Sequence, residues 1–340
     1  MDKKEVAVII VAWNSEKYLK ECLDSLYQQN FTNFTLFFVD NNSPDNSGGI
    51  AKNYKNVELI KNKDNLGFAG GINVGIKKAL EKNYKYVLLA NPDTVMDKDW
   101  LGSLYDTMEK HSEAGACQSK VLLYDSKLIN TTGNILHYLG FSYCGDYKKE
   151  KSSETTQKIT LASGSSVIFR SSVLRKVGLL DEDFFMYHED VDLSWRIKEY
   201  GYSLFFEPKS IIYHKYSFSR NKKKFYYAER NRLIFALKNY QLRTLILLSP
   251  VFFVTELLMI AYSIAGGWFN FKVDSFRDII KSWGKIMKKR QEIQKNRTVS
   301  DSVLKKEFSK DLNFDEVNTP LFVPLNLFFR FYWFLIGIFI

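Results

Sequence analysis

Residues 6–12 form an unbroken apolar run near the start of the chain: Val6-Ala7-Val8-Ile9-Ile10-Val11-Ala12. Continuous runs of this kind are typical of parallel strands that are buried on both faces of a sheet. Three further apolar runs follow, at 35–39, 57–61 and 86–90. An amphipathic helical pattern follows the first run, and a second predicted helix follows the run at 57–61. The alternation predicts an α/β fold with a doubly wound, mostly parallel sheet.

Polar residues follow two of these predicted strands. Asp40 ends the second, and Asn91-Pro92-Asp93 follows the fourth. Ligands of such sheets bind at the carboxyl ends of the strands. Asp40 fits either an Asx turn or a carboxylate that accepts a hydrogen bond from a pyrimidine base. Asp93 fits either a helix-starting turn or a site for a hard divalent cation, which prefers carboxylate and diphosphate oxygens.

A third acidic site lies within an aromatic and apolar stretch, residues 184–196. Here Asp190 falls near the predicted start of a helix that stops at Gly201. A cap role and a general-base role both fit Asp190, because the helix dipole that favours a capping carboxylate also keeps it ionised. We expect its neighbour Glu189 to position or neutralise nearby groups.

Two other segments carry weaker signals. The glycine-rich turn 65–73 does not have G-x-G-x-x-G spacing and follows the third strand, so a Rossmann cofactor is not expected. Its glycines suit either close approach of backbone to a diphosphate or sugar, or close helix–sheet packing. Residues 120–158 are polar and weakly patterned, which predicts an insertion or flexible loop.

Composition limits the partners. The 340 residues carry a net charge of +10, which predicts anionic partners such as phosphorylated substrates or anionic lipid. The three cysteines show no metal-ligand spacing, and we expect a reducing compartment. We predict two regions, a catalytic domain over 1–240 and a helical membrane-association region over 241–340.

The second region has a long apolar segment. Residues 244–271 contain one charge, Glu256, and basic stretches flank them on both sides. The segment is long enough to span a bilayer, which needs about 20 apolar residues. Because basic flanks favour the cytoplasmic side, however, an in-plane or re-entrant arrangement against anionic headgroups fits better than one crossing. A buried helical appendage is the alternative.

The apolar tail 320–340 adds a second predicted membrane contact. We therefore expect peripheral or monotopic attachment at the cytoplasmic face of the membrane, with spanning helices left open. Nucleic acid is not an expected partner, because the basic stretches flank membrane-like segments.

In their order along the chain, the motifs resemble those of inverting family-two glycosyltransferases with the GT-A fold, and most of all the rhamnosyltransferase-like branch. The resemblance covers about residues 5–240. It is carried by residues 11–14, 39–43, 65–73, 91–93, 164–165, 185–192, His214 and 230–231. It implies a GT-A-type sheet followed by the helical membrane-associating region.

The resemblance also implies roles for the acidic residues. Asp190 matches the catalytic base, and Asp40 the residue that recognises the nucleotide base. Asp93 matches the second acid of the metal-binding D-x-D motif, which with His214 implies a divalent cation, Mg²⁺ or Mn²⁺. Asn91 takes the first position of that motif, a departure that leaves open whether the metal is essential.

The remaining implied contacts fall into two groups. The nucleotide-sugar group comprises Ala12, Asn14, Asp40, Asn42, Gly67, Gly71, Asn73, Asn91, Asp93 and Arg230. The acceptor or sugar-pocket group comprises Gly164, Ser165, Glu189 and Trp195.

The implied enzyme is an inverting hexosyltransferase of cell-surface polysaccharide assembly. Its expected donor is a nucleotide-diphosphate sugar, best matched by dTDP-rhamnose, with a UDP-hexose or galactofuranose donor as the alternative. Its expected acceptor is a polyprenyl-diphosphate-linked saccharide. A non-catalytic membrane scaffold is the alternative from a different class of function.

Overall fold

The computed structural model describes residues 5–215, 222–314 and 322–340. The chain forms two compact units. The first comprises Met1–Asn134, Cys144–Ile197 and Tyr202–Ser217, and the second comprises Ile135–Tyr143, Lys198–Gly201 and Phe218–Ile340. The basic stretch before the long apolar segment begins at Arg220, and the apolar tail begins at Pro320. Both of these residues lie outside the described residues.

Strands and helices alternate through the first half of the chain, as the apolar pattern predicts. The strands are β1 (Val6–Ala12), β2 (Phe34–Asp40), β3 (Val57–Lys61), β4 (Tyr86–Ala90), β5 (Thr94–Met96), β6 (Ala114–Leu123), β7 (Ile129–Thr131), β8 (Asn134–His137), β9 (Ser142–Cys144), β10 (Gln157–Ile159), β11 (Ser166–Arg170), β12 (Ser203–His214) and β13 (Phe308–Ser309). The helices are α1 (Glu16–Tyr27), α2 (Ser47–Ala51), α3 (Gly67–Glu81), α4 (Trp100–Lys110), α5 (Ser171–Val177), α6 (Glu189–Glu199), α7 (Lys223–Asn239), α8 (Leu242–Ala265), α9 (Phe269–Lys281), α10 (Trp283–Asn296), α11 (Asp301–Leu304) and α12 (Phe322–Ile336).

One ten-stranded sheet organises the first unit. Its order is β10-β12-β6-β11-β4-β1-β2-β3, with β5 paired to β12 and β7 to β6. Strands β3, β2, β1 and β4 are parallel, and every residue of β1 is buried. Because Ala12 pairs with Asp40 in register, the carboxyl ends of β1 and β2 meet at one edge. The predicted doubly wound, mostly parallel centre of the sheet is confirmed.

The polar middle of the chain is more ordered than its sequence indicates. Residues 120–158, predicted as an insertion or flexible loop, contain the end of β6 and the short strands β7, β8, β9 and β10. Three-residue strands such as β10, which pairs with distant β12, carry too few residues to show a period in sequence. The short apolar runs 204–207 and 211–214 each predict a strand, but the structure joins them in the single strand β12, with an irregularity between Glu207 and Ile211.

The second unit is mainly helical and contains α7–α12 with the three-stranded sheet β13-β8-β9. Helix α8 has 24 residues and is long and apolar enough to cross a membrane, the one such helix in the described part of the chain. The 15-residue α12 is apolar but shorter. Helix α6 ends at Glu199, two residues before Gly201, whose φ of +86° suits the predicted glycine stop.

Candidate active site

Asp190 is held at the start of α6 by two backbone amides. The Gly164 N–H donates to Oδ2 at 2.9 Å, and the Val191 N–H donates to Oδ1 at 2.8 Å. Two donors fix both oxygens of the carboxylate, so its orientation is set before any substrate binds. This contact joins two residues that lie 26 positions apart in sequence and that we expected at one site.

Glu189 is buried beside this carboxylate, and its Oε2 has no hydrogen-bond partner among the described residues. Burial, followed by the adjacent negative charge of Asp190, raises the pKa of Glu189 to about 8. Burial also raises the pKa of Asp190, although the Gly164 and Val191 amides oppose that change. Near neutral pH the pair therefore holds its proton on Glu189, which leaves Asp190 as the group that ionises first.

The backbone that leads into Asp190 is strained. Phe185, Tyr187 and His188 have φ values of 61°, 66° and 71°, a left-handed region that non-glycine residues rarely adopt. Each such residue costs on the order of 1–3 kcal/mol, and such residues cluster at functional sites. This run is an independent structural sign that the stretch before Asp190 has a function.

Asp93 and His214 lie together at the end of β4 and β12. His214 Nε2 is 3.3 Å from Asp93 Oδ1, and His214 Nδ1 is 3.0 Å from Asn130 Oδ1. If Nδ1 donates to Asn130, the neutral ring presents its Nε2 lone pair towards Asp93, which is the arrangement a metal-binding histidine needs.

The donor set at this turn fits a divalent cation. Asn91, two residues before Asp93 in the same turn, has a buried Oδ1 that lacks a hydrogen-bond partner within the described ranges, which makes this oxygen a candidate ligand. In the described part of the chain, no group of three His, Cys, Asp or Glu side chains is placed so that it could hold a metal ion by itself. The residues present therefore suit a Mg²⁺ or Mn²⁺ ion that takes its other ligands from a diphosphate and water.

Ser165 connects the metal-type turn to the Asp190 contact. Its carbonyl accepts from the Asn91 N–H at 3.2 Å, while the preceding residue, Gly164, donates to Asp190. The Asp190 carboxylate and the Asn91–Asp93 turn are therefore joined through one short loop, residues 164–165.

The predicted base-recognition residue, Asp40, is buried at the end of β2. Its Oδ1 accepts from the Ser43 N–H at 2.8 Å, so the turn interpretation of this residue is present in the structure. The Ser43 hydroxyl in turn donates to the carbonyl of Ala12 and accepts from the Asn14 N–H. Both Asn14 and Asn42 have left-handed φ values, 54° and 60°, in the turns at these strand ends.

The glycine-rich turn contacts the strained loop. Gly67 has a φ of +72°, and a Cβ there would lie 2.5 Å from the carbonyl oxygen of Phe185. A Cβ on Gly71 would lie 2.7 Å from Val11 Cγ1. Close packing thus requires glycine at both positions.

Asn73 of α3 contacts the segment before the strained residues. Its side-chain amide donates to the Leu180 carbonyl at 2.8 Å and to Glu182 at 3.0 Å, which holds that segment against α3.

Trp195 and Arg230 are the two remaining predicted site residues. Trp195 is fully buried on α6, within the interior of the first unit. Arg230 lies on α7 in the second unit, where its guanidinium donates to Asn231 and lies 3.9 Å from Asp278.

Four residues near these groups are not predicted from the sequence as site residues. Asn41 is buried and its side chain bonds Asn65, Asn62 and the Gly67 carbonyl, which ties the end of β2 to the glycine turn. Asn130 orients His214. Trp13 and Tyr187 are, with Leu66, the exposed large apolar residues among those described in the first unit.

Trp13, exposed directly after β1, offers an aromatic stacking surface at a strand end, and Tyr187 offers a second one three residues before Asp190. Trp13 lies within the motif at residues 11–14, so an aromatic residue next to a predicted strand end was the sequence signal that could have identified it. No sequence signal indicates the role of Asn130, because 84 residues separate it from its partner His214.

The chain is similar to several known proteins. Poly-beta-1,6-N-acetyl-D-glucosamine synthase of Staphylococcus epidermidis is 24% identical over 211 residues, which are 61% of this chain and 49% of that protein. N-acetylglucosaminyl-diphospho-decaprenol L-rhamnosyltransferase of Mycobacterium tuberculosis is 26% identical over 231 residues and covers 61% and 75% of the two chains. The chain thus spans about half the length of the first of these relatives.

A solved structure, GalNAc-T7 with UDP, GalNAc and Mn²⁺, is similar in fold. Its TM-score is 0.59 at 14% identity, and the match covers 81% of this chain and 55% of that one. The sequence profile of glycosyl transferase family 2 matches residues 7–178, half of the chain, and includes the β1–β4 core with Asp40 and Asp93. The chain therefore belongs to glycosyl transferase family 2.

Proposed function

We propose that this chain transfers a sugar from a nucleoside-diphosphate donor to an acceptor hydroxyl, with inversion at the anomeric carbon. The observation that carries the proposal is the Asp190 carboxylate, fixed by two backbone amides and joined through Gly164 and Ser165 to the Asn91–Asp93 turn. A proton acceptor next to a diphosphate-type site is the minimum that this chemistry requires.

In the proposed reaction Asp190 accepts the proton of the acceptor hydroxyl as its oxygen attacks the anomeric carbon. The bond from that carbon to the donor's diphosphate breaks on the opposite face, and the nucleoside diphosphate leaves. General-base assistance of this kind contributes roughly 10²–10⁴-fold to a rate. Glu189, protonated near neutral pH, keeps a second negative charge away from the leaving diphosphate.

Asp93, His214 and Asn91 are the residues that would hold a Mg²⁺ or Mn²⁺ ion. When bound, such an ion stabilises negative charge on a diphosphate. We propose that Asp40 accepts a hydrogen bond from the nucleotide base. Ala12, Asn14, Asn42, Gly67 and Gly71 would line the nucleotide-sugar side, and Gly164, Ser165 and Glu189 the acceptor side.

For the donor and acceptor, we propose dTDP-rhamnose and a polyprenyl-diphosphate-linked saccharide. The similarity to a protein named as an L-rhamnosyltransferase of a diphospho-decaprenol substrate supports this pair. A UDP-hexose or galactofuranose donor is the second candidate, favoured by the similarity to a poly-N-acetylglucosamine synthase. We propose that residues 1–240 carry the chemistry and that residues 241–340 attach to anionic lipid at the cytoplasmic face.

The test is a donor screen with the full chain. Nucleoside-diphosphate release would be measured from several sugar nucleotides with a polyprenyl-diphosphate N-acetylglucosamine acceptor, with and without Mn²⁺. Asp190→Asn should lower turnover at least about 100-fold. The matched control Asp106→Asn changes an exposed carboxylate of α4 and should leave turnover unchanged.

Near-native turnover by folded Asp190→Asn would remove the base assignment. Absence of product with every donor, from a folded chain that binds membranes, would favour the scaffold alternative.

A further inference from the structure

The helices on either side of α8 pack against each other. Tyr226 of α7, which precedes α8, donates a hydrogen bond to Asp278 of α9, which follows it. Arg290 of α10 donates to the carbonyls of Leu237 and Tyr240, at the end of α7, at 2.6 Å each. The chain before α8 and the chain after it therefore lie on the same side of any membrane that α8 contacts.

A buried ion cluster fixes the middle of α8 to these helices. Glu256, the one charge within the apolar part of α8, binds Arg232 of α7 and Lys272 of α9. Glu229 of α7 joins both cations, at 3.1 Å from Arg232 and 2.5 Å from Lys272. Two acids and two bases balance in charge, and Arg232, Lys272 and Glu229 are all buried.

The position of Glu256 along α8 bears on topology. It lies fourteen residues after Leu242, roughly 21 Å along a helix that rises about 1.5 Å per residue. A crossing helix would carry that point deep into a hydrocarbon layer about 30 Å thick, together with the charged side chains of α7 and α9. The cluster is therefore incompatible with a straight crossing.

Helix α8 has two distinct faces over most of its length. Thr244, Leu248, Val251 and Thr255 are buried at helical spacing. The opposite face exposes large apolar side chains: Leu242, Ile246, Phe253, Leu257 and Ile264. An exposed apolar face of this length on a protein surface marks an interaction site.

Helix α12 extends this face. The Tyr332 hydroxyl donates to the Leu247 carbonyl of α8 at 2.7 Å, which sets the two helices side by side. Lys305 donates to the Gly337 carbonyl at 2.8 Å, so the end of α12 also stays on the unit. Its fifteen residues reach about 22 Å, less than a bilayer core. Its outward side chains are Val323, Leu327, Phe331 and Phe334, and Ile338, two residues beyond its end, is also exposed.

From these contacts we infer that α8 and α12 form one apolar surface that enters a single membrane leaflet, with lipid acyl chains as its partner, and that the chain does not cross the bilayer. The inference rests on the proposed membrane attachment and specifies its geometry. Exposed cations on α8, α9 and α10, among them Arg243, Lys281 and Lys288, complement the charge of anionic headgroups.

Topology is tested by cysteine labelling of the full chain. Cys144, the one cysteine that is not buried, is first replaced by Ser. Arg243→Cys, at the start of α8, and Asn270→Cys, just beyond its end, are then treated with a membrane-impermeant maleimide in intact spheroplasts and in inverted vesicles. Both sites should react in inverted vesicles only. Labelling of the two sites from opposite sides would overturn the inference.

The surface is tested by flotation with vesicles that contain 30% anionic lipid. Leu257→Asp and Phe334→Asp should each weaken binding at least tenfold. Asn53→Asp is the control, because it adds the same charge at an exposed position on the first unit. Native-like binding by both apolar-face variants, or light scattering that shows this face closing a dimer without lipid, would overturn the inference. Asp190→Asn should float with vesicles like the native chain. Flotation therefore tests membrane attachment and turnover tests catalysis, so failure of one proposal is distinguishable from failure of the other.

Discussion

Replacing Glu189 by Gln should make the protein more stable at neutral pH. Glu189 is buried, its Oε2 has no partner among the described residues, and its pKa is raised from 4.5 to about 8. The unfolded chain releases this proton above pH 4.5, whereas the folded chain keeps it until about pH 8. The contribution of Glu189 to the free energy of unfolding is therefore fully present below pH 4.5 and is lost as the pH rises towards 8.

The size of the effect follows from the two pKa values. Between pH 4.5 and pH 7 the folded state holds one proton that the unfolded state lacks, so the free energy of unfolding falls by about 1.4 kcal/mol for each pH unit. At pH 7 the free energy of unfolding is therefore lower by about 3 kcal/mol. Glutamine has the shape of the protonated acid and does not titrate, so Glu189→Gln should recover this free energy and raise Tm on the order of 5 °C.

The assay is thermal unfolding of native and variant protein in detergent from pH 4.5 to pH 8. A matched control is Glu207→Gln. Glu207 is also buried, but it accepts hydrogen bonds from Thr107 at 2.8 Å, Thr156 at 2.6 Å and the Lys209 N–H at 3.0 Å. An amide cannot accept all three, so that variant should lose about 1–3 kcal/mol. The reasoning is refuted if Glu189→Gln is no more stable than the native protein at pH 7, or if its gain in Tm is the same at pH 4.5 as at pH 7.

Three further outcomes are expected. Turnover should rise with pH as Asp190 ionises and fall near pH 8 as Glu189 ionises, and in Glu189→Gln the fall near pH 8 should disappear from the pH–rate profile. Asn130→Ala should weaken Mn²⁺ binding in the presence of nucleotide about 10–100-fold, measured by electron paramagnetic resonance of the free ion, because His214 loses its orienting partner. Gly71→Ala should cost about 1–3 kcal/mol in unfolding experiments, because its methyl group would meet Val11; an unchanged Tm would contradict the close packing.

Sequence reasoning succeeded where the signal is local. The buried runs of β1–β4 predict the sheet. The sequence also predicts Asp40 and Asp93 near the carboxyl ends of two strands, and the structure places Asp40 as the last residue of β2 and Asp93 three residues after β4. Asp190 stands out because acids are rare in an aromatic stretch.

The rest depends on contacts between distant residues. No local pattern pairs Asn130 with His214 or Gly164 with Asp190, since the chain between them must first fold. The raised pKa of Glu189 depends on burial, which its neighbours in sequence do not determine. The left-handed φ values of Phe185, Tyr187 and His188 are equally hidden, because no glycine or asparagine marks them.

The ion cluster around Glu256 has a consequence for truncation. A chain that ends near residue 240 keeps Glu229 and Arg232 but lacks Glu256 and Lys272. Glu229 and Arg232, which are buried in the intact chain, would then be exposed to water without two of their ion-pair partners, and α7 would lose the helices that cover it. A water-soluble form for crystallisation is thus better sought by replacing outward residues of α8 and α12 than by shortening the chain. During synthesis, likewise, α7 gains its buried partners only after α9 has emerged from the ribosome.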